Sequence, residues 1–247
     1  MADMDLEKEV DFFDRFEAEH GDYDVLAESA YSRILDTLAR RLQPRPGMTC
    51  IDLGCGTGAF TRRLNVFELA LTGVDISPRS IERARHIGGA TFLIGDVCAS
   101  TADSASFDFA VMSGVLHHLP TADTRVARLR EALRLLKPGG RFFSYDPNGF
   151  SPSMFFYRDP RSPLYSGVGK TDNEILLTRR QLAGELRTAG FTDVQVTGLS
   201  GIAYRYVEGA LARKLLPLYN HVYENLMRLP LLQNVMGTFL IATGKKA

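Results

Sequence analysis

A short β-forming run, Met48–Leu53, stops in Asp52-Leu53-Gly54-Cys55-Gly56-Thr57-Gly58. Glycines at that spacing let a backbone pass close to a ligand where a β-carbon would collide, and the start of a following helix offers unpaired N–H donors. Asp75 lies 23 positions beyond Asp52, at the end of the next β run, where a carboxylate can accept both hydroxyls of a ribose. These features describe a nucleotide site. The fingerprint for a bound pyrophosphate is Gly-x-Gly-x-x-Gly, whereas Gly58 comes one residue early. Asp52 also sets a carboxylate two residues before the first glycine. A negative charge there suits a cationic ammonium ligand and repels a pyrophosphate.

A second group that could do chemistry follows the fourth β run. His117 and His118 stand beyond Phe107–Ser113, and Asp146 closes the run after that. An imidazole titrates near neutrality and can accept a proton in a reaction, and a carboxylate can hold it in place. Adjacent histidines can equally cap a helix and line a pocket. Cys50 and Cys55 bracket a strand at no metal-ligand spacing and read as packing residues, so no metal is expected.

The elements that must position these groups alternate along the chain. Residues 6–42 read as helical, and Gln43-Pro44-Arg45-Pro46-Gly47 ends them, because proline denies a helix its donors. β runs are expected at Met48–Leu53, Leu69–Ile76, Thr91–Val97, Phe107–Ser113, Arg141–Tyr145, Asp193–Leu199 and Thr238–Thr243. Ser77-Pro78 opens one helix as N-cap and first-turn proline. Val126, Leu129, Leu133 and Leu136 recur at helical spacing in another, and Lys137-Pro138-Gly139-Gly140 reads as the turn into the fifth strand. Thr178–Gln181 has capping-box spacing for a third helix, which Gly190 can end. Such alternation means an α/β fold, a largely parallel sheet with helices on both faces. Ligands then bind beyond the carboxyl ends of the strands.

At this point the chain resembles a class I S-adenosylmethionine-dependent methyltransferase, with a Rossmann-like seven-stranded sheet. The likeness is close over about residues 48–147. Cys50–Gly58 resembles the family's first motif, Gly73-Val74-Asp75-Ile76-Ser77 its ribose motif and Gly95-Asp96-Val97 its adenine motif; Ser113–Leu119 and Lys137–Gly140 match later signatures. The resemblance implies S-adenosylmethionine as cofactor, with Asp52 and Gly54 facing its methionine portion. Cys55, Gly56 and Gly58 complete that loop. Asp75 would face the ribose, Asp96 the adenine amino group, Ile76 and Val97 the ring, and Ser113 the methionyl end. Tyr23, with Phe12, Phe13 and Phe16, would close over the cofactor. Related sugar and small-molecule O-methyltransferases carry a similar Leu-His-His with a later acidic residue, which implies His117, assisted by Asp146 and neighboured by His118, as the catalytic base. The Asn/Asp-Pro-Pro-aromatic sequence of enzymes that methylate DNA bases is missing after strand four; Asp146-Pro147-Asn148 follows strand five instead.

Residues 1–46 are expected to form a helical cap and 47–247 the cofactor-binding core, with substrate-side insertions at 148–173 and 201–235. The first insertion is rich in aromatics (Phe150, Phe155, Phe156, Tyr157, Tyr165). In the second, Leu211, Leu215, Leu218, Val222 and Leu226 fall on one helical stripe, expected mainly to pack on the core. The competing expectation is a membrane-surface contact, with Arg205, Arg213, Lys214 and Arg228 meeting anionic headgroups. Lys plus Arg and Asp plus Glu both total 29, and without a basic excess a nucleic-acid substrate is not expected. The odd count of 3 cysteines and an acidic N-terminal run without a signal-peptide pattern imply a cytoplasmic protein. The acceptor is expected to be a small, partly apolar molecule.

Overall fold

The computed structural model describes residues 11, 12, 15, 26–96, 102–162, 165, 167, 171, 174–201, 210–227 and 229–247. Seven strands form one sheet in the order β3-β2-β1-β4-β5-β7-β6. They are β1 (Thr49–Leu53), β2 (Ala70–Asp75), β3 (Thr91–Ile94), β4 (Phe107–Ser113), β5 (Leu136–Pro147), β6 (Thr192–Leu199) and β7 (Phe239–Lys245). β1 to β5 pair in parallel, and β7 runs antiparallel between β5 and β6. The strand order reverses between β1 and β4, which opens a crevice at their carboxyl ends.

Successive residues of a strand point to opposite faces, and the two cores follow that rule. On one face Ala110, Met112 and Phe142 meet Leu129 of α4 (Ala122–Leu135) and Leu182 and Leu186 of α6 (Arg179–Ala189). On the other face Phe109, Val111 and Phe143 meet Ile34 and Leu38 of α1 (Glu28–Leu42). Each large apolar side chain buried this way contributes about 1.5–3 kcal/mol. Two short helices, α2 (Ala59–Arg63) and α3 (Pro78–Ile87), follow β1 and β2.

The expected caps are present. Ser77 Oγ accepts the Ser80 N–H, and Pro78 opens the first turn of α3. Thr178 and Gln181 form the reciprocal capping box of α6, and Gly190 ends that helix in the left-handed conformation. A buried ion pair joins α4 to α6: Arg125 donates to both carboxylate oxygens of Glu185 at 2.8 and 2.6 Å, and to the Leu119 carbonyl at 2.6 Å.

Three local expectations are corrected. The third strand stops at Ile94, leaving Gly95 and Asp96 in a loop. Lys137–Gly140 is not a turn before β5 but an irregular opening of it. Leu136 already pairs with Phe107, and Gly139, at φ +78°, donates its N–H to Lys246 across the sheet. Most of the apolar stripe of α7 (Ala210–Leu226) does not pack on the core: Leu211, Leu218, Val222 and Leu226 are 53%, 62%, 55% and 52% exposed, and Leu215 is half-buried. Among the described side chains of this segment, Tyr223 and Met227 are buried. Tyr223 Oη donates to the Met236 carbonyl at 2.5 Å and lies 2.9 Å from Ser151 Oγ, the N-cap of α5 (Pro152–Arg158). This hydroxyl pins α7 to α8 (Pro230–Met236) and to the loop after β5. Among the described residues, no helix is long and apolar enough to cross a membrane.

Candidate cofactor and acceptor site

β1 delivers Asp52 to the crevice and then turns sharply. The Gly54 and Cys55 N–H groups both donate to the Val74 carbonyl, at 2.8 and 3.1 Å, folding the loop over the end of β2. Gly54 and Gly58 have φ of +80° and +78°, and a β-carbon on either would come within 2.6 Å of Val115 or Phe92. Glycine is therefore required at both positions by conformation and by space. Gly56, at φ +52°, faces open space where its β-carbon would stand, as a loop that a ligand approaches should.

Asp52 is fully buried. Thr61 Oγ1 donates to its Oδ2 at 2.7 Å, and Ser113 Oγ to its Oδ1 at 3.4 Å. Burial pushes its pKa up from 3.8 to about 7; the two hydroxyls resist that shift and the nearby Asp75 charge adds to it. Asp75 ends β2, where its Oδ2 accepts the Gly56 N–H at 2.8 Å and its Oδ1 the Ser77 N–H at 2.9 Å. The glycine loop and Asp75 thus belong to one hydrogen-bonded unit. Ile76, beside it, is 38% exposed. Asp96 follows β3 with Arg128 of α4 3.9 Å away. Cys50 and Cys55 are buried, and burial holds both thiols well above their ordinary range, in keeping with packing roles. Tyr23, Phe13, Phe16 and Val97 lie outside the described residues.

The fold also brings His117, His118 and Asp146 together. β4 ends at Ser113, and a tight turn at Leu116–His118 places both histidines against the end of β5. Asp146 has no exposed surface. Its Oδ1 accepts both the backbone N–H and the Nδ1–H of His117, each at 3.1 Å. A carboxylate only accepts hydrogen bonds, so beside an ionised Asp146 a neutral His117 carries its proton on Nδ1 and its lone pair on Nε2. The two imidazole rings lie 4.0 Å apart, centroid to centroid.

Several partners were not legible in the sequence. Thr61 holds Asp52, yet nothing in the glycine motif names it. Thr171 Oγ1 lies 3.1 Å from His118 Nδ1, and the Thr171 N–H donates to Glu174 Oε1 at 3.2 Å. The Ile175 N–H donates to the His117 carbonyl at 2.9 Å, and a parallel bridge joins Asn148 to Leu177. These bonds draw the end of the first insertion onto the histidines. Its aromatics divide: Phe150 and Phe156 are 60% and 40% exposed, Tyr165 is half-buried, and the Phe155 and Tyr157 side chains lie outside the described residues.

The donor set fits the cofactor that the motifs imply. A buried carboxylate beside a glycine loop suits a cationic amino acid, and a second carboxylate at the next strand end suits a ribose diol. The profile of the family described as "Methyltransferase domain" matches residues 51–144. An uncharacterized methyltransferase of Synechocystis sp., sll0829, is 30% identical over 151 residues, covering 61% of this chain and 69% of that protein. The O-methyltransferase cnsE of Penicillium expansum is 30% identical over 181 residues, 70% of this chain, and the chain spans 62% of that relative. A solved SAM-dependent methyltransferase of Thermotoga maritima, described as a possible histamine N-methyltransferase, superposes with a TM-score of 0.63 over 98% of each chain at 21% identity. That last likeness speaks to the fold alone. With the glycine loop, the two carboxylates, the sheet order and these relatives in agreement, the chain belongs to the class I S-adenosylmethionine-dependent methyltransferases.

Proposed function

We propose that this chain methylates a hydroxyl oxygen of a small, partly apolar acceptor, with the His117–Asp146 pair taking the proton that the hydroxyl loses. The observation that carries this reading is the 3.1 Å bond from His117 Nδ1 to the fully buried Asp146 carboxylate. It fixes the ring's orientation and presents Nε2 as a base, the same division of labour that a buried carboxylate serves for other catalytic histidines. S-adenosylmethionine, when bound, supplies a methyl group on a positively charged sulfur that leaves readily. Asp52, Ser113 and the Gly54–Gly58 loop would hold its amino-acid end, Asp75 its ribose, and Asp96 and Ile76 its adenine. The protein's remaining task is alignment, for which rigid strand ends are suited.

The name of the Penicillium relative supports an oxygen acceptor. A formal net charge of +0 supports a small molecule over a nucleic acid. The aromatic first insertion, whose end contacts the histidines, suits a secondary metabolite, a glycolipid or a quinone-like precursor. The test is turnover of labelled S-adenosylmethionine with a panel of such hydroxylated compounds. His117→Ala should lower kcat by about 100-fold or more while S-adenosylhomocysteine binding stays at the wild-type level, and Asp146→Asn should fall in the same direction. Near-normal turnover in His117→Ala would remove that residue as the base.

A further inference from the structure

His117, His118 and Glu174 each place one ligand-type atom within 4.8 Å of the other two, the histidines buried and Glu174 half-buried. Four-coordinate zinc with bonds of about 2.1 Å holds its ligand atoms about 3.4 Å apart. Convergence on an ion therefore needs only small rotations, and Glu174 sits on a loop with a long side chain to supply them. We propose that these three side chains form a binding site for one divalent transition-metal ion of the zinc class, and that ion binding and proton acceptance by His117 exclude one another.

The arrangement around the three residues is what a metal site requires beyond its ligands. A ligating histidine ordinarily engages its other ring nitrogen with a carboxylate or other polar group, which fixes the ring and tunes its basicity. His117 Nδ1 is bonded to Asp146, and His118 Nδ1 lies 3.1 Å from Thr171 Oγ1. Glu174 Oε1 accepts the Thr171 N–H, which steadies the carboxylate that supplies the third ligand oxygen. The Ile175–His117 backbone bond then holds the Glu174 loop against the histidine turn. Two imidazoles and one carboxylate, with no thiolate, suit zinc, iron or manganese, and three protein ligands leave a fourth position for water or an acceptor oxygen.

The exclusion follows from the tautomer and rests on His117 being the base. With Nδ1 holding its proton for Asp146, Nε2 has a single lone pair. That pair can bind an ion or a proton, not both. Metal occupancy should therefore suppress methyl transfer.

The test uses the full chain after chelator treatment, titrated calorimetrically with Zn²⁺ and spectroscopically with Co²⁺ as a coloured probe. One ion per chain is expected. Glu174→Gln and His118→Ala should each weaken binding at least tenfold, and Thr171→Ala, which removes the hydroxyl beside His118 Nδ1 without removing a ligand, about tenfold. S-adenosylhomocysteine binding in each variant reports that the fold is intact. Methyl transfer should fall in step with Zn²⁺ occupancy and return on chelation. Absence of 1:1 binding, or binding indifferent to both Glu174→Gln and His118→Ala in variants that still bind S-adenosylhomocysteine, overturns the site; activity that rises with occupancy overturns the exclusion. If Glu174-dependent binding persists but His117→Ala retains turnover, the site stands and the base assignment fails, so the two readings fail separately.

Discussion

Asp52 is a carboxylate without exposed surface whose pKa stands at about 7 instead of 3.8. A displacement of roughly three pKa units, at ~1.4 kcal/mol each, means that ionising it inside the ligand-free protein costs about 4 kcal/mol. The sign has two consequences. Between pH 3.8 and about 7 the folded chain holds a proton that the unfolded chain has lost, so this group's contribution to stability is fully present below that window and disappears as pH rises through it. A cationic ligand needs the ionised form, so its binding must expel the proton. Affinity for S-adenosylhomocysteine, whose amino group stays protonated below about pH 7.7, should then rise close to tenfold per pH unit from 5.5 to 6.5 and level off above about 7. Calorimetry at pH 6 in buffers of different ionisation enthalpy should register nearly one proton released per ligand. Asp52→Asn should bind weakly, show neither the slope nor the proton, and be more stable than the parent at pH 8 when empty. A flat wild-type profile, or the same slope in Asp52→Asn, would refute the reasoning.

Two further predictions concern stability. Truncating one partner of the buried Arg125–Glu185 pair, as Glu185→Ala, should cost about 3–5 kcal/mol, since the guanidinium is left buried with its charge uncompensated; chemical denaturation measures this, and a loss below 1 kcal/mol would show that the pair holds little. On α7, Leu218→Glu and Val222→Glu should leave the unfolding free energy within about 0.5 kcal/mol of the parent, because these side chains already face outward. Tyr223→Phe, which removes the hydroxyl bonded to Met236 and Ser151, should cost about 1–3 kcal/mol. The opposite ranking by thermal melting would restore the stripe to the core.

The core strands and the cofactor loop were legible because their signals are local. A glycine that must take φ +80° beside Val115, or an N-cap serine before a proline, declares itself within a few residues. The alternation of β4, with Phe109 and Val111 on one face and Ala110 and Met112 on the other, was likewise readable as a run. What escaped depends on contacts between distant segments. Thr171 and Glu174 reach the histidines because Asn148 bridges to Leu177 and Ile175 bonds to His117, and neither bond leaves a periodic trace. In α7 the periodicity announced a helix correctly, but four leucine and valine positions of its stripe face outward. The described anchor is instead Tyr223, whose hydroxyl bonds at both Met236 and Ser151. The third strand was overextended to Val97, whose apolar side chain resumes the run beyond Gly95-Asp96, while the pairing to β2 ends at Ile94.

The most direct test of the central claim is mass spectrometry of the product formed with S-adenosylmethionine carrying an isotopically labelled methyl group, using the hydroxylated acceptor panel and the unmodified chain. A single labelled methyl on an acceptor oxygen is expected, formed together with S-adenosylhomocysteine and lost in His117→Ala. Label on nitrogen or carbon, or no transfer to any acceptor by a chain that binds S-adenosylhomocysteine, would contradict it.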